Sequence, residues 1–168
     1  MAKAKQHRAM LIGAIGAGKS TLTNALLGRD VPAIKTQSLL YYDWIVDTPG
    51  EYTENPLFYK NIMATALEVT HVLFIQDATK SKTIFPPGFA SGIPKLSIGV
   101  VTKIDAPNAD RVRAAKQIRK AMPDGPIVYV SAYEKQGLDE IRSLVACNSR
   151  LQMREYCLNL ESTNISDM

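Results

Sequence analysis

The chain has 168 residues, of which 46% are apolar and 21% charged, a composition typical of one globular domain with its own core. Its net charge of +4 is spread between the tail residues Lys3, Lys5 and Arg8 and the segment 111–120, which favours solvated surface over a nucleic-acid interface. The sequence has no signal-peptide h-region and no apolar run of about 18 residues, so we expect a cytoplasmic protein without a membrane or nucleic-acid partner.

Short apolar runs alternate with segments of helical period along the chain. This arrangement predicts an α/β fold with a mostly parallel sheet and helices on both faces. The predicted strands cover residues 8–12, 44–46, 71–76, 97–101 and 127–130, and a predicted edge strand covers 37–41. Ligands of such sheets bind beyond the carboxyl ends of the strands, so the residues that follow each strand are the first candidates for a site.

Four helices are predicted, three between these strands and one after the last strand. The first ends at Gly28, a residue type favoured just past a helix end, and the second begins at Asn55 with a proline in its first position. The third begins near Asn108 and the fourth near Leu138. The inward side of the third helix is predicted to consist of Val112, Ala115, Ile118 and Met122.

Two segments are expected to lack long regular elements. Between residues 77 and 95, Pro86 and Pro87 remove backbone donors and restrict the residues before them, which predicts a loop with one helical turn at most. The apolar residues of 148–168 show no clean periodicity, so we expect a C-terminal tail whose last eight residues are disordered. The chain is therefore interpreted as one domain, 1–168, with a core at about 8–146.

The loop after the first strand carries a phosphate-binding pattern. Residues 13–21 read G-A-I-G-A-G-K-S-T, which matches G-x-x-x-x-G-K-[ST] between a strand and a helix. The glycines permit backbone angles that point N–H groups at a phosphate, while the lysine is expected to bind β- and γ-phosphates and the serine to ligate Mg²⁺. The alternative is a glycine-rich turn whose lysine faces solvent. The predicted nucleotide-binding residues here are Gly13, Gly16, Ala17, Gly18, Lys19, Ser20 and Thr21.

The second motif follows the strand at 44–46 and reads D-T-P-G over residues 47–50. An aspartate at this place holds Mg²⁺ in P-loop NTPases, usually through water, so we expect Asp47 to serve the metal with Ser20. The N–H of Gly50 is expected to approach the γ-phosphate. The alternative is an ordinary strand-ending turn, since Asp, Pro and Gly are all turn residues.

The third motif, T-K-I-D at 102–105, follows the strand at 97–101. One carboxylate, Asp105, can accept both the N1–H and the N2 amino donor of guanine, a pair that adenine lacks. Lys103 is expected to lay its methylene stem along the base, with Thr102 beside it. Ser131 and Ala132, after the last strand, are predicted to offer a backbone N–H to the guanine O6 atom.

With these motifs in view, the chain resembles the small P-loop GTPases over residues 8–146, which implies a three-layer P-loop NTPase fold. Within that group, Lys35-Thr36-Gln37 and the run D-T-P-G-E-Y at 47–52 are similar to the EutP/PduV family of bacterial ethanolamine and propanediol utilisation operons. The run Pro87-Gly88-Phe89 is similar to the propanediol branch. The resemblance implies association with bacterial microcompartment metabolism, and an ATP-dependent acetate kinase activity is assigned to some members of the family.

Three residues depart from the small-GTPase pattern or replace parts of it. Thr102 stands where most small GTPases have asparagine. Glu51 stands where many have a glutamine that orients the attacking water. Because a γ-phosphate repels a carboxylate, we expect slow hydrolysis. The residues expected to take part in it are Lys19, Gly50 and Glu51. Thr36 is the magnesium-sensing threonine expected in the short first switch.

The sequence therefore predicts Mg²⁺-dependent binding of GTP and GDP with slow hydrolysis, about 10⁻⁴ to 10⁻² per second. One alternative is an acetate kinase, but residues 31–109 contain no arginine, and lysine cannot make the bidentate contact with a carboxylate substrate. The other is a nucleotide-binding adaptor without turnover, recruited to a microcompartment shell.

Aromatic residues are concentrated around the expected switch segments. Packing within the hairpin and second helix is the favoured explanation, and a protein-partner surface that changes with the bound nucleotide is the alternative. The aromatic residues concerned are Tyr41, Tyr42, Trp44, Tyr52, Phe58 and Tyr59.

Overall fold

The computed structural model describes residues 7–166, and the side chains of residues 7–162. Lys3 and Lys5 of the basic tail lie outside the described residues. So do residues 167 and 168, the last two of the eight that are predicted to be disordered. None of the helices that 7–166 form is both long and apolar enough to cross a bilayer.

Within residues 7–166, six strands form one sheet with helices on both of its faces. They are Ala9–Gly13 (β1), Leu40–Tyr41 (β2), Ile45–Asp47 (β3), His71–Asp77 (β4), Leu96–Thr102 (β5) and Ile127–Tyr129 (β6). Their order in the sheet is β2-β3-β1-β4-β5-β6, and every neighbouring pair is parallel except β2 and β3. The mostly parallel sheet and its strands are as predicted, with most strand ends within one residue, whereas the edge strand is shorter than 37–41.

The described residues also form six α-helices and two 3₁₀ turns, and the last two α-helices follow the last strand. The α-helices are Lys19–Leu27 (α1), Glu51–Glu54 (α2), Tyr59–Ala66 (α3), Arg111–Ala121 (α4), Leu138–Val145 (α5) and Arg150–Ser166 (α6). The 3₁₀ turns are Pro56–Phe58 and Phe89–Gly92. The second of these is the single turn expected between 77 and 95, and Gly28 ends α1 in the left-handed conformation with φ 67°, as predicted.

Hydrophobic cores on both faces of the sheet make the fold three-layered. On one face, Leu22 of α1, Ile141 of α5 and Met153 of α6 pack together. On the other face, Ile62 of α3 and Ile118 of α4 pack against the sheet. Strand β4 is buried at all seven positions, as expected for a parallel strand with helices above and below it.

Helix α4 begins later than expected, and its inward side agrees with the prediction in part. Its first residue is Arg111, because the side chain of Asp110 accepts the N–H of Arg113 at 3.0 Å and caps the helix. Val112, which was expected to face the core, is 66% exposed. Ile118 and Met122 are fully buried, as predicted, and Ala114 and Ala121 are buried with them.

The expectation of an irregular C-terminal tail is wrong, because Arg150–Ser166 form α6. Met153 is fully buried, and Tyr156 and Cys157 pack against the same core. These positions are spaced by three and by one, so they lie on one face of a helix. The helix therefore extends the core beyond the predicted 8–146.

The order of the strands fixes the place of the site. After β1 the chain builds β2 and β3 on one side, and then crosses to β4 on the other. The carboxyl end of β1 is thus the point where the chain changes direction, and crevices at such points bind ligands in open α/β sheets.

Candidate nucleotide-binding site

The loop from β1 into α1, residues 14–18, wraps around the start of the helix. We call it the phosphate loop. Gly18 precedes α1 with φ 100°, a conformation that side-chain-bearing residues rarely adopt, so the sharp entry into the helix needs glycine there. The N–H of Ala17 donates to the carbonyl of Ala14 at 3.1 Å and closes the loop.

Lys19 lies at the first position of α1 and folds back over this loop. Its Nζ donates to the carbonyls of Gly13 at 3.0 Å and Ala14 at 2.8 Å. The side chain is only 6% exposed, and this burial lowers its pKa to about 8, although the charges of Asp47 and Glu54 act in the opposite direction. The ammonium group is therefore held next to the loop amides, where it can meet an anion.

Three oxygen atoms converge beside Lys19. The hydroxyls of Ser20 and Thr36 donate to Oδ2 of Asp47 at 2.8 and 2.9 Å, and the two hydroxyl oxygens lie 2.9 Å apart. The other carboxylate oxygen of Asp47, Oδ1, is buried without a hydrogen-bond partner among the described residues. An unpaired buried carboxylate oxygen beside two hydroxyls matches the preference of Mg²⁺ for oxygen ligands.

The short helix α2, which was not predicted, packs on the phosphate loop. The hydroxyl of Thr53 accepts the N–H of Gly13 at 3.1 Å, and the carboxylate of Glu54 accepts the N–H of Ile15 at 3.0 Å. Gly50 lies so close that an added Cβ would stand 2.5 Å from the backbone nitrogen of Ile15. Any side chain at this position would therefore push α2 off the loop.

A second loop, residues 102–106 after β5, is tied to the phosphate loop by side chains. We call it the base loop. The Thr102 hydroxyl donates to the carbonyl of Ala17 at 2.7 Å, and Nζ of Lys103 donates to the carbonyl of Gly16 at 2.8 Å. Lys103 has φ 60°, an unusual conformation for a residue with a side chain, which turns the chain sharply at the end of the strand.

The ammonium group of Lys103 has a second partner, Asp77 at the end of β4, whose Oδ2 lies 2.7 Å away. Burial alone raises the pKa of Asp77, but hydrogen bonds from Lys103 and Thr79 outweigh it and hold the pKa below its ordinary value. Asp77 is thus a buried carboxylate anion, and together with Lys103 it links β4, the base loop and the phosphate loop.

The base loop and the turn after β6 line a small cavity of about 170 Å³, which we call the base cavity. Asp105, Ala132 and Tyr133 contribute to its walls, and Asp105 is exposed. The N–H of Ser131 is engaged by the carbonyl of Gln136 at 3.2 Å. Of the two predicted backbone donors, Ala132 therefore remains the one that could serve a base.

The structure brings most of the predicted residues to one edge of the sheet. A cleft of about 360 Å³, which we call the phosphate cleft, adjoins the base cavity, and the two share Gly18, Thr21, Lys103 and Tyr133. Glu51 is exposed and lines neither. The predicted residues that line the phosphate cleft are Gly16, Gly18, Lys19, Ser20, Thr21, Thr36, Gly50 and Lys103.

Three residues at this edge were missed by sequence reasoning: Asp77, Glu54 and Tyr133. Asp77 had a usable signal, because it is a carboxylate directly after an apolar strand, as Asp47 is. Glu54 lies in a short helix without a sequence pattern of its own. Tyr133 follows the predicted pair 131–132 but carries no motif.

The sequence model of the PduV-EutP family, described as "Ethanolamine utilisation - propanediol utilisation", matches residues 6–147. The chain belongs to this family. It is 30% identical over 141 residues to "Probable acetate kinase EutP" of Escherichia coli K12, covering 83% of this chain and 89% of that protein. It is 32% identical over 134 residues to "Propanediol utilization protein PduV" of Citrobacter freundii, with 80% and 89% covered.

A more distant relative is "GTPase Era" of Bradyrhizobium diazoefficiens. It is 28% identical to this chain over 159 residues, which cover 81% of this chain and 51% of Era. This likeness agrees with the α/β architecture and places the PduV-EutP chain among proteins with the P-loop NTPase fold. Helix α6 lies beyond the residues that the family model matches.

Proposed function

We propose that this PduV-EutP protein binds GTP and GDP with Mg²⁺, hydrolyses GTP slowly, and acts as a switch or accessory protein in ethanolamine or propanediol utilisation. The observation that carries the proposal is the shared wall between the phosphate cleft and the base cavity. Lys19 stands in the cleft and the Asp105 carboxylate at the cavity. A nucleoside diphosphate has this polarity, with anionic phosphates at one end and a hydrogen-bonding base at the other.

In the proposed complex the phosphates rest on the loop amides and on Lys19. Ser20, Thr36 and Asp47 would hold Mg²⁺, directly or through water, and the ion neutralises phosphate charge when it is bound. Their oxygens already converge, which supports the assignment. We expect Ser20→Ala to remove most of the difference between GDP affinities measured with and without Mg²⁺, and an unchanged difference would contradict it.

Gly50 lines the phosphate cleft, so its N–H is the proposed partner of the γ-phosphate. The carboxylate of Glu54 holds the N–H of Ile15 in the same region. Glu51, in the place of a water-orienting glutamine, is an exposed carboxylate. Without a glutamine at this place to orient the attacking water, we expect the slow turnover of an unassisted GTPase, about 10⁻⁴ to 10⁻² per second.

The exposure of Asp105 limits how strongly this carboxylate can select guanine over adenine. A buried carboxylate that rejects the wrong base can discriminate by about 10⁴ to 10⁵. An exposed one keeps its water when adenine is present, so only the net value of its hydrogen bonds counts. Hydrogen bonds to a charged group contribute about 1.5–3 kcal/mol, which corresponds to a preference for GDP over ADP of about 10- to 150-fold.

Isothermal titration with GDP and ADP tests the guanine assignment. We expect GDP to bind more tightly, and Asp105→Ala to lower its affinity about 10- to 150-fold while leaving ADP unchanged. Asp124→Ala is the matched control, because Asp124 is exposed, pairs with Arg150 on the surface and lines neither the cleft nor the cavity. Tighter binding of ADP, or full GDP affinity in Asp105→Ala, would overturn the assignment.

Phosphate release from GTP separates a GTPase from an adaptor without turnover. We expect slow release by the wild type and none by Lys19→Ala, because that variant loses the cation beside the phosphates. No release by a wild type that binds GTP would favour the adaptor.

An acetate kinase is the second candidate function, supported by the name "Probable acetate kinase EutP" carried by relatives. Lys35 lines the phosphate cleft, where it could meet a carboxylate substrate, whereas no arginine is among the described residues that line it. Trapping of acetyl phosphate as its hydroxamate, with ATP and acetate as substrates, tests this function. Formation of acetyl phosphate faster than phosphate is released from GTP would make the kinase the principal activity.

The proposed switch also needs a surface that a partner can contact. Ile34, beside the phosphate cleft, and Leu57, after α2, are 78% and 76% exposed. We propose that they contact a protein partner, with the microcompartment shell as the expected candidate. Co-sedimentation with purified shells should differ between the GTP and GDP complexes, and equal co-sedimentation would contradict a switch.

A further inference from the structure

Tyr133 is the most exposed of the large apolar or aromatic side chains among the described residues, at 83%. It follows Ser131 and Ala132 in the turn between β6 and α5. Nothing in the roles proposed above uses its ring. The ring nevertheless borders both the phosphate cleft and the base cavity.

The backbone that carries Tyr133 is well fixed. Ser131 and Gln136 exchange two backbone hydrogen bonds, with N–O distances of 3.2 and 3.0 Å, and the Ser131 hydroxyl accepts the N–H of Glu134 at 3.1 Å. The turn is therefore closed on itself. An exposed ring on a fixed backbone can meet a ligand at the cost of a few side-chain rotations only.

Tyr133 shares its two cavities with Lys103. Lys103 and Tyr133 both line the phosphate cleft and the base cavity, and Lys103 is held by Asp77 and by Gly16. A purine is a flat apolar plate with polar edges. Its edge can meet Asp105, but its two faces need apolar cover, and within the described chain Tyr133 is the one aromatic residue that lines this cavity.

We propose that the Tyr133 ring stacks on the face of the nucleotide base and is a binding determinant that does not select between bases. This inference rests on the proposed function, since it assigns a second contact in the same site. Every base has a π-face, so stacking is tolerant of base identity and contributes about 1–3 kcal/mol per base. Asp105 would thus select the base by hydrogen bonds to its edge, and Tyr133 would add affinity by stacking on its face.

Titrations of three variants test the proposal. Tyr133→Ala should lose GDP affinity about 5- to 150-fold, and Tyr133→Phe should stay within about twofold because the ring and not the hydroxyl makes the contact. Tyr41→Ala is the matched control, a half-exposed tyrosine on β2 that lines neither the cleft nor the cavity. It should bind GDP like the wild type.

Inorganic pyrophosphate provides a second readout, because it fills the phosphate cleft without a base. Tyr133→Ala should bind pyrophosphate with wild-type affinity. An equal loss of GDP and pyrophosphate affinity would show a general distortion of the site, and would overturn the stacking proposal. So would GDP affinity within twofold of wild type in Tyr133→Ala, or an equal loss in Tyr133→Phe.

The same titrations with ADP separate this inference from the guanine assignment. If ADP binds more tightly than GDP, the guanine assignment fails, but Tyr133→Ala should still weaken ADP and the stacking proposal stands. If GDP binds more tightly and Tyr133→Ala has no effect, only the stacking proposal fails. A wild type that binds neither nucleotide overturns both.

Discussion

Replacing Asp77 by asparagine removes the negative charge that holds Lys103 while keeping the shape of the side chain. The Asp77 carboxylate is 3% exposed, its Oδ2 lies 2.7 Å from Nζ of Lys103, and the lysine side chain is 41% exposed. Breaking a fully buried pair costs about 3–5 kcal/mol, whereas exposed pairs contribute about 0–1 kcal/mol. With one partner buried and the other partly solvated, we expect Asp77→Asn to cost about 1–2 kcal/mol.

This cost is expected to appear in two measurements. Urea denaturation should show part of it as a lower free energy of unfolding. Titration with GDP should show the rest as a lower affinity, with a loss of at most about 5- to 30-fold. The reason is that Lys103, without its partner, no longer holds the phosphate loop through Gly16. Lys103→Met should lower GDP affinity by a similar factor, and adding Asp77→Asn to it should lower the affinity little further, because the two side chains act together.

Asp124→Asn is the matched control for Asp77→Asn. It breaks the ion pair of Asp124 with Arg150, whose side chains are 60% and 65% exposed and 3.3 Å apart, and we expect a change below about 0.5 kcal/mol. If Asp77→Asn lowers neither the free energy of unfolding nor the GDP affinity more than Asp124→Asn does, the reasoning is refuted. The link between β4, the base loop and the phosphate loop would then contribute nothing to stability or binding.

Three further predictions concern pH and packing. Burial lowers the pKa of His71 from 6.5 to about 4, so the unfolded state binds a proton first as the pH falls. The free energy of unfolding should therefore drop by at most about 3 kcal/mol between pH 6.5 and 4. Urea melts of His71→Gln should lack this dependence on pH. Because the pKa of Lys19 is about 8 and phosphates favour its charged form, GDP binding above that pH should take up protons, which buffer-independent binding enthalpies would disprove. Gly50→Ala should cost about 1–3 kcal/mol in urea melts, since its Cβ meets the backbone of Ile15; Gly92→Ala, whose Cβ meets only Met63 at 3.8 Å, should cost less, and equal losses would contradict the packing argument.

Much of this site was predictable because its signals are local in sequence. The glycine pattern before Lys19, Asp47 at the end of a strand and Asp105 in T-K-I-D each lie within a few residues of a strand end. In a parallel sheet the carboxyl ends of the strands share one edge, so motifs at those ends come together. Their roles in nucleotide binding stay predictions for the titrations to decide.

Apart from the length of the edge strand, the wrong expectations were about helices and not about the sheet. Helix α6 was missed because its exposed residues Leu151 and Leu158 obscured the buried stripe at Met153, Tyr156 and Cys157. Helical patterns with interrupting apolar residues on the outer face are ambiguous until a neighbouring element shows which side is covered. The same ambiguity placed Val112 of α4 on the wrong side.

The sequence alone determined that strands, loops and helices alternate along this protein and that its polar motifs follow the parallel strands. It could do so because backbone conformation and the alternation of apolar runs are local properties. Contacts over long separations were decided only by the fold. Asp77 and Lys103 are 26 positions apart, and no spacing rule pairs them until β4 and β5 lie side by side. The same folding brings α2 onto the phosphate loop and Tyr133 into the lining of the base cavity.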